Sequence, residues 1–206
     1  MQEITLKGTT YQLPTAWNEV NVRQLIEIEQ IKNNDLQSLG QIAAVLLGCD
    51  VDEVLRAELA EFTELITKVG DVMTAPLNAK FQPNITLDGV SYTARKIEDF
   101  STREFTDFDT LSADGKKNLP WLLALIYHAE NEEGDYVEQT KKKAEIFEDL
   151  PADIAVAAVS FFSVGLLKYV KDTVLSSEAA SRMMKKNPKM REMMEQLEDL
   201  INGAGN

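Results

Sequence analysis

Two short segments of the chain alternate apolar and polar positions around a turn dipeptide, which is typical of a β-hairpin. The segment 3–13 contains a central Lys-Gly pair, and the segment 84–95 contains a central Asp-Gly pair. Such pairs supply the positive φ angles that a two-residue hairpin turn requires. We therefore predict one hairpin in each segment.

Most of the remaining chain places apolar residues every three or four positions, which predicts helices. Pro120 and Pro151 fall at the beginnings of two of them, where proline is tolerated. Residues 74–83 contain two prolines and little periodicity, so we predict a linker there. The pattern indicates a mainly α-helical α+β fold, with the hairpins at the margin of a helical core. The predicted helices are 21–32, 35–48, 51–56, 58–73, 101–111, 114–129, 139–149, 151–175, 176–187 and 188–201.

The two hairpins begin segments of similar sequence, which indicates an internal duplication. Residues 4–11 are ITLKGTTY and residues 85–92 are ITLDGVSY, so five of eight positions are identical. The similarity continues between 19–31 and 99–111, where the apolar spacing of a helix face is kept. Chance similarity between two hairpins is the alternative interpretation.

This similarity predicts a division of the chain into three parts. Asn21 and Ser101 occupy matching positions in the two similar segments, and both residue types are favoured as helix N-caps. We expect two related hairpin-plus-helices halves and a C-terminal extension of amphipathic helices. The predicted parts are 1–75, 84–175 and 176–206.

The composition is that of a soluble globular protein with an acidic surface. Apolar residues make up 44% of the chain, charged residues 27%, and the net charge is −13. This charge repels nucleic-acid backbones and anionic lipids, so we expect neither as a partner. The nearly uncharged stretch Ile154–Leu167 is shorter than the roughly 20 residues of a membrane span. We predict a buried helix there.

The N-terminal sequence lacks the basic and apolar regions of a signal peptide, and the chain contains a single cysteine. One cysteine cannot form an intramolecular disulfide, which suits a reducing cytoplasm. The composition therefore favours a cytoplasmic location.

Few residues are suited to catalysis or metal binding. His128 is the only histidine, and we predict a partly buried position at the end of an apolar helix. Cys49 is predicted to be a small packed side chain, because no basic neighbour would stabilise a thiolate. One histidine and one cysteine cannot form a typical zinc site within one chain. The acidic run 130–135 lacks the carboxylates that a calcium loop needs at its ends.

Carboxylate chemistry is the remaining route to an enzyme. The candidate residues are Asp50, Asp52, Glu130, Glu132 and Asp135. Asp50 and Asp52 lie at a predicted helix start, where carboxylates complement the helix dipole without a catalytic role. We therefore predict a protein that is not an enzyme and that requires no cofactor or metal ion.

The C-terminal part contains five of the seven methionines within twelve residues. Methionine is flexible and polarizable, and it is frequent on surfaces that accept varied helical partners. Two interpretations remain open: a helix docked on its own domain, and a surface for partner binding or self-association. The candidate partner-binding residues are Met183, Met184, Met190, Met193, Met194, Leu197, Leu200 and Ile201.

Several segments together resemble the tail assembly chaperones, and the related small tail or baseplate assembly factors, of tailed bacteriophages. The resemblance is one of layout over most of residues 4–170. It is carried by ITLKGTTYQLPTAWNEVNVRQLIEIEQI, IAAVLLGCDVDEVLRAELAEFTELI, NLPWLLALIYH and EIFEDLPADIAVAAVSFF. The repeated hairpin departs from this layout and raises the chance of a structural component.

This resemblance implies a non-catalytic role in the cytoplasm of a bacterial host. The protein would hold long helical tail components, such as the tape measure protein, during tail assembly. The alternative is a structural virion or baseplate protein that remains in the particle. Both roles imply protein partners, and the second implies self-association.

Overall fold

The computed structural model describes residues 1–175 except 33, 34, 78, 114, 131 and 133, and it describes the side chains of the last helix as far as Val170. The predicted helices 176–187 and 188–201 lie outside the described residues. So do the eight candidate partner-binding residues between Met183 and Ile201.

The described residues form eight α-helices, five strands in two antiparallel sheets, and three short 3-10 helices. The predicted mainly α-helical α+β class is confirmed. The 3-10 helices are Trp17–Glu19, Ile97–Asp99 and Gly115–Asn118. The strands and α-helices, in chain order, are β1 Gln2–Leu6, β2 Thr9–Leu13, α1 Val22–Gln30, α2 Leu36–Leu47, α3 Val51–Leu55, α4 Leu59–Thr74, β3 Asn84–Leu87, β4 Val90–Ala94, α5 Thr102–Ala113, α6 Leu119–Ile126, β5 Tyr127–Ala129, α7 Tyr136–Phe147 and α8 Ala152–Leu175.

Both predicted hairpins are confirmed, and their turns have the expected backbone conformation. Lys7 and Gly8 have φ angles of 50° and 83°, and Asp88 and Gly89 have φ angles of 51° and 77°. Two successive positive φ angles give a turn whose twist matches that of the flanking strands. The turn dipeptides therefore set the register of β1 with β2 and of β3 with β4.

The prediction of one helix over 114–129 is wrong at both ends. A 3-10 helix precedes α6, and the chain after α6 becomes the strand β5, which pairs with β4. The backbone N–H of Arg95 donates to the carbonyl oxygen of Ile126 at 2.8 Å, and Lys143 Nζ donates to that of Tyr127 at 2.9 Å. The carbonyl oxygens of Ile126 and Tyr127 thus accept hydrogen bonds from residues distant in the sequence. In a longer helix, the same oxygens would have accepted hydrogen bonds from backbone N–H groups of that helix. His128 consequently lies on a strand and not at the end of a helix.

The helix predicted at 139–149 begins three residues earlier, as α7. The Asp135 carboxylate accepts hydrogen bonds from the backbone N–H groups of Val137 and Glu138, at 2.9 and 3.3 Å. This cap starts the helix directly after the acidic run 130–135. Asp135 therefore has a structural role.

The two halves repeat one order of elements: a hairpin, a 3-10 helix and a helix that begins at a capping box. Asn21 Oδ1 accepts from the Gln24 backbone N–H at 2.8 Å, and Gln24 Oε1 accepts from that of Asn21 at 3.1 Å. Ser101 and Glu104 exchange the corresponding bonds at 3.3 and 2.8 Å. A gene duplication is consistent with this similarity and remains a prediction.

Buried apolar side chains from both halves form one continuous cluster. At its centre, the backbone N–H of Val22 donates to Leu150 O at 3.0 Å, and that of Ala152 donates to Val20 O at 2.8 Å. These bonds attach the beginning of α1 to the beginning of α8, although about 130 residues separate them in the sequence. The first two predicted parts thus share a core, and their boundaries remain a prediction.

Helix α8 is buried along one face only, so the prediction of a buried helix at 154–167 is only half correct. Ala155, Ala158 and Phe162 are at most 1% exposed, whereas Phe161 and Val164 are each 51% exposed. Within the described residues, α8 is also the one helix long and apolar enough by composition to cross a membrane. Its buried face packs into the globular core, but most of the apolar stretch Ala152–Val170 is not buried, so this packing accounts for only part of that composition.

A candidate protein-binding groove

A partly buried side of α8 lies beside α5, and the space between the two helices is a groove. We call it the α5–α8 groove. Its volume is about 420 Å³. Its lining residues are mostly apolar, and they are Phe105, Phe108, Asp109, Ser112, Ser163, Leu166, Leu167 and Val170.

The polar residues that line the groove change its apolar character little. The Ser112 hydroxyl donates to the Phe108 carbonyl oxygen at 2.7 Å, and the Ser163 hydroxyl donates to that of Val159 at 2.8 Å. Both hydroxyl hydrogens are thus used within their own helices. Asp109 is exposed and places a negative charge at the rim.

A cluster of aromatic rings supports the groove from below. The Phe100 ring lies 6.4 Å from the Phe108 ring and 5.9 Å from the Phe162 ring, measured between centroids. Phe108 and Phe162 are buried. Edge-on and tilted aromatic pairs at these distances are stabilising, so the two walls are held at a fixed separation.

The apolar surface continues from the groove along α8. Phe81, from the segment that links the two halves, stacks on Phe161 with ring centroids 4.1 Å apart and planes within 3°. Phe161 and Val164 nevertheless remain half exposed. Phe161 and Val164 lie outside the groove lining and form a second exposed apolar patch on the same helix.

A partly buried ion pair positions α5 from its other side. Arg95 Nη1 contacts Glu104 Oε1, and Arg95 Nη2 donates to the Asp99 carbonyl oxygen at 3.0 Å. Burial raises the pKa of Glu104, but the hydrogen bonds from Arg95 and Ser101 together outweigh it, so this pKa lies below its ordinary value. Glu104 is therefore charged at neutral pH. Arg95 thereby joins the end of β4 to the first turn of α5.

A second ion pair lies in the same charged region. Lys143 Nζ donates to Glu132 Oε2 at 3.0 Å, and the Lys143 side chain is only 12% exposed. Burial lowers the pKa of Lys143, and the contact with Glu132 offsets part of that effect. Glu132 also accepts from the Ala129 backbone N–H at 2.7 Å. This candidate catalytic carboxylate therefore holds α7 against β5.

His128 borders a polar cavity of about 490 Å³ beside these ion pairs. Its Nδ1 atom is buried and has no hydrogen-bond partner among the described residues. The cavity is lined by side chains of both charge signs, two of which are engaged in the ion pairs above. Its lining residues are Thr93, Ala94, Arg95, Lys96, Asp99, His128 and Glu132. This mixture favours a structural charge network over a binding site for one ion type.

The other candidate carboxylates lie apart. Asp50 caps α3 by accepting from the Asp52 backbone N–H at 2.8 Å, Asp52 pairs with Arg56 at 3.0 Å, and Glu130 is exposed. Within residues 1–175, gaps excepted, no group of three or more His, Cys, Asp or Glu side chains is placed to hold a metal ion. Asp50 and Asp52 thus serve local contacts at α3, and Glu130 lies apart from them.

Cys49 is partly buried, as predicted, between α2 and α3. Burial raises the pKa of its thiol, and the nearby carboxylates of Glu53 and Asp50 raise it further. The side chain therefore remains a thiol at neutral pH. The prediction of a packed cysteine is confirmed, and its weak reactivity remains a prediction.

Comparisons with known proteins add no relative from which a role could be transferred. No protein-family model, no curated protein sequence and no solved structure matches this chain. The functional argument therefore depends on the α5–α8 groove and on the layout of the sequence.

Proposed function

We propose that this protein is a non-catalytic assembly factor that binds helical segments of bacteriophage tail components in the α5–α8 groove. A chaperone of the tape measure protein is the form of this role that the sequence layout favours. The observation that carries the proposal is the groove itself, which is apolar, open and formed by two helices.

The spacing of the lining residues suits a helical ligand. On α5, Phe105, Phe108 and Ser112 follow the spacing i, i+3, i+7, and the α8 wall from Ser163 to Val170 follows the same spacing. Such rows form the ridges between which a third helix packs. Each row extends over seven residues, or about 10 Å of helix axis. The groove therefore accommodates about two turns of a partner helix.

The charge of the protein suits a chaperone role. With a net charge of −13, the protein repels other acidic surfaces while a partner helix occupies its groove. It also attracts helices that carry Lys and Arg beside their apolar face. Partner binding of this kind requires no catalytic group.

A structural role in the virion or baseplate is the second candidate. It is favoured by the stacked pair of Phe81 and Phe161, which extends the apolar surface beyond what a single helix of two turns would cover. Such a surface suits a permanent interface between subunits.

Site-specific photo-crosslinking in the bacterial cell that makes the protein tests the proposal. A photoreactive phenylalanine analogue replaces Phe105 in the groove. The matched control carries the analogue at Phe62, another partly buried phenylalanine, on α4. We expect the Phe105 site, and not the Phe62 site, to crosslink a long helical tail protein. Crosslinks of equal yield at the two sites would contradict the proposal.

Quantitative mass spectrometry of purified particles separates the two roles. A chaperone is absent from mature particles, whereas a structural component is present in a fixed ratio to the other tail proteins. Groove-specific crosslinks combined with a fixed ratio in particles would replace the chaperone proposal by the structural one.

A further inference from the structure

The α5–α8 groove opens at the end of the fold from which the chain continues beyond the described residues. Its α8 wall ends at Val170, five residues before the end of α8 at Leu175. A further 31 residues follow Leu175 in the sequence. This C-terminal segment, 176–206, therefore begins beside the groove.

The sequence of the C-terminal segment is complementary to the groove in side-chain type. Methionine side chains adapt to irregular apolar surfaces and make favourable contacts with aromatic rings. The groove presents such a surface, with Phe105 and Phe108 on one wall and leucines on the other. The segment supplies an apolar series of matching length at Met190, Met193, Met194 and Leu197.

The charges are complementary as well. Residues 182–191 contain five Lys and Arg and no Asp or Glu, whereas residues 1–175 contain sixteen Lys and Arg and twenty-nine Asp and Glu. Asp109 places a carboxylate at the rim of the groove. A basic run leading into an apolar series thus matches an apolar groove with one acidic rim residue on an acidic protein.

The connection between the groove and the methionines is short enough for an intramolecular contact. The seven residues 176–182 extend over at most about 25 Å. That length allows the chain to reverse direction after α8 and return along the groove. A connection of this length gives an effective concentration in the millimolar range, so even a weak contact would be occupied.

We propose that residues 183–201 of the same chain occupy the α5–α8 groove while no partner is bound, and that a partner helix displaces them. Displacement depends on the proposed function, whereas occupancy in the free protein does not. The contact shields the apolar groove from solvent and from other apolar surfaces until a better ligand arrives. It reconciles the two interpretations of the methionine-rich sequence, since one segment docks on its own fold and regulates partner access.

Methyl NMR of the full-length chain tests the occupancy. The methionine methyl groups are labelled with ¹³C, Cys49 is replaced by serine, and a spin label is attached at Thr106→Cys, exposed beside Phe105. The control label is attached at Thr67→Cys, exposed on α4. We expect a several-fold loss of intensity for the methionines at 190–194 from the Thr106 label only. The methyl group of Met73, on the same helix as Thr67, is the positive control for the Thr67 label and should lose intensity from it.

Equal intensity losses from the two labels, or no loss from either, would overturn the proposal. Isotopic dilution decides whether the contact is intramolecular. The ¹³C-labelled chain without a spin label is mixed with unlabelled spin-labelled chain. In an equimolar mixture, an intensity loss at least half as large as in the chain that carries both labels would assign the groove to a second copy and overturn the intramolecular contact.

A variant of the methionines separates this proposal from the proposed function. In Met193→Ser/Met194→Ser, we expect the intensity loss from the Thr106 label to disappear and the crosslink from Phe105 to the tail protein to increase several-fold. An unchanged crosslink yield would refute displacement. Failure to crosslink any tail protein, with the intensity loss intact, would refute the proposed function and support the occupancy.

Discussion

The close approach of α8 to the second 3-10 helix provides a sensitive test of the groove's α8 wall. Gly165, on α8, faces Ile97, and a Cβ atom at residue 165 would overlap Cδ1 of Ile97. The same Cβ would lie 3.7 Å from Cγ1 of Ile97, an ordinary van der Waals distance. A single terminal methyl group therefore opposes the substitution Gly165→Ala.

Two effects of opposite sign determine the result of Gly165→Ala. In a helix interior, alanine is more favourable than glycine by about 1 kcal/mol. Overpacking a well-filled contact costs about 1–3 kcal/mol. The overlap is deep, but it involves the end of a partly buried side chain, so we take about 2 kcal/mol for it. We therefore expect Gly165→Ala to lower the free energy of unfolding by about 1 kcal/mol.

The substitution Ile97→Val removes Cδ1 and should reverse the sign. By itself, Ile97→Val costs about 0.5–1.5 kcal/mol. In the Ile97→Val background, only the helix-propensity effect of Gly165→Ala remains, so the second substitution should raise the free energy of unfolding by up to about 1 kcal/mol. The coupling energy between the two sites is then about 2 kcal/mol, which is typical of residues in direct contact.

Urea unfolding of the four proteins, followed by far-UV circular dichroism at 25 °C, measures this cycle. An unchanged dependence of the unfolding free energy on urea concentration shows that the substitutions alter stability and not the denatured state. If Gly165→Ala stabilises the protein in both backgrounds, or destabilises it equally in both, the described contact between α8 and Ile97 is refuted. The position of the α8 wall would then have to be revised.

Three further predictions concern the contacts that position the groove and the core. Arg95→Met leaves the Glu104 carboxylate buried without its cation, which should cost about 2–4 kcal/mol in urea unfolding at pH 7. The pKa of Glu104 is lower in the folded protein than in the unfolded chain. The ion pair therefore stabilises the fold at pH values above the ordinary carboxyl pKa, and this stabilisation is lost as the pH falls through the folded pKa. The destabilisation by Arg95→Met should accordingly shrink towards pH 3. Trp17→Phe removes the 2.9 Å hydrogen bond from Trp17 Nε1 to the Ala75 carbonyl oxygen and should lower the thermal unfolding temperature, at a cost of about 1–3 kcal/mol. Because the pKa of Cys49 is raised, its thiol should react more slowly with a thiol reagent at pH 8 in the folded protein than in the urea-unfolded chain. The midpoint of the pH dependence of this reaction rate should lie at higher pH in the folded protein, and an unshifted midpoint would contradict the prediction.

Local signals in the sequence were sufficient for most elements. Each hairpin turn depends on two adjacent residues whose φ angles are both positive, as at Lys7 and Gly8. The capping residues Asn21 and Ser101 likewise act on a neighbour three residues away. Such features could be predicted because their physical cause lies within one turn of the chain.

Features with a distant cause were not predictable from the sequence. The strand β5 exists because β4 offers a free edge more than thirty residues earlier in the chain. The pairing of Arg95 with Glu104 is close in sequence, but its burial depends on elements from the rest of the second half. The groove combines Phe105 on α5 with Leu166 on α8, about sixty residues later. Its only signal in the sequence was the apolar spacing of α5, which a fully buried helix would share.

The different surroundings of two matching helices explain why the groove forms in the second half. Leu25 and Ile28 of α1 align with Phe105 and Phe108 of α5. Both α1 residues are buried, at 1% and 4% exposure, whereas only Phe108 of the α5 pair is buried. Helix α2 and the start of α8 close the apolar face of α1. Helix α6 packs against α5 to a similar extent, but the side of α5 that faces the end of α8 stays open in the described residues. Within the described residues no helix covers this side of α5, and our proposals place there a helix from a partner or from the methionine-rich segment.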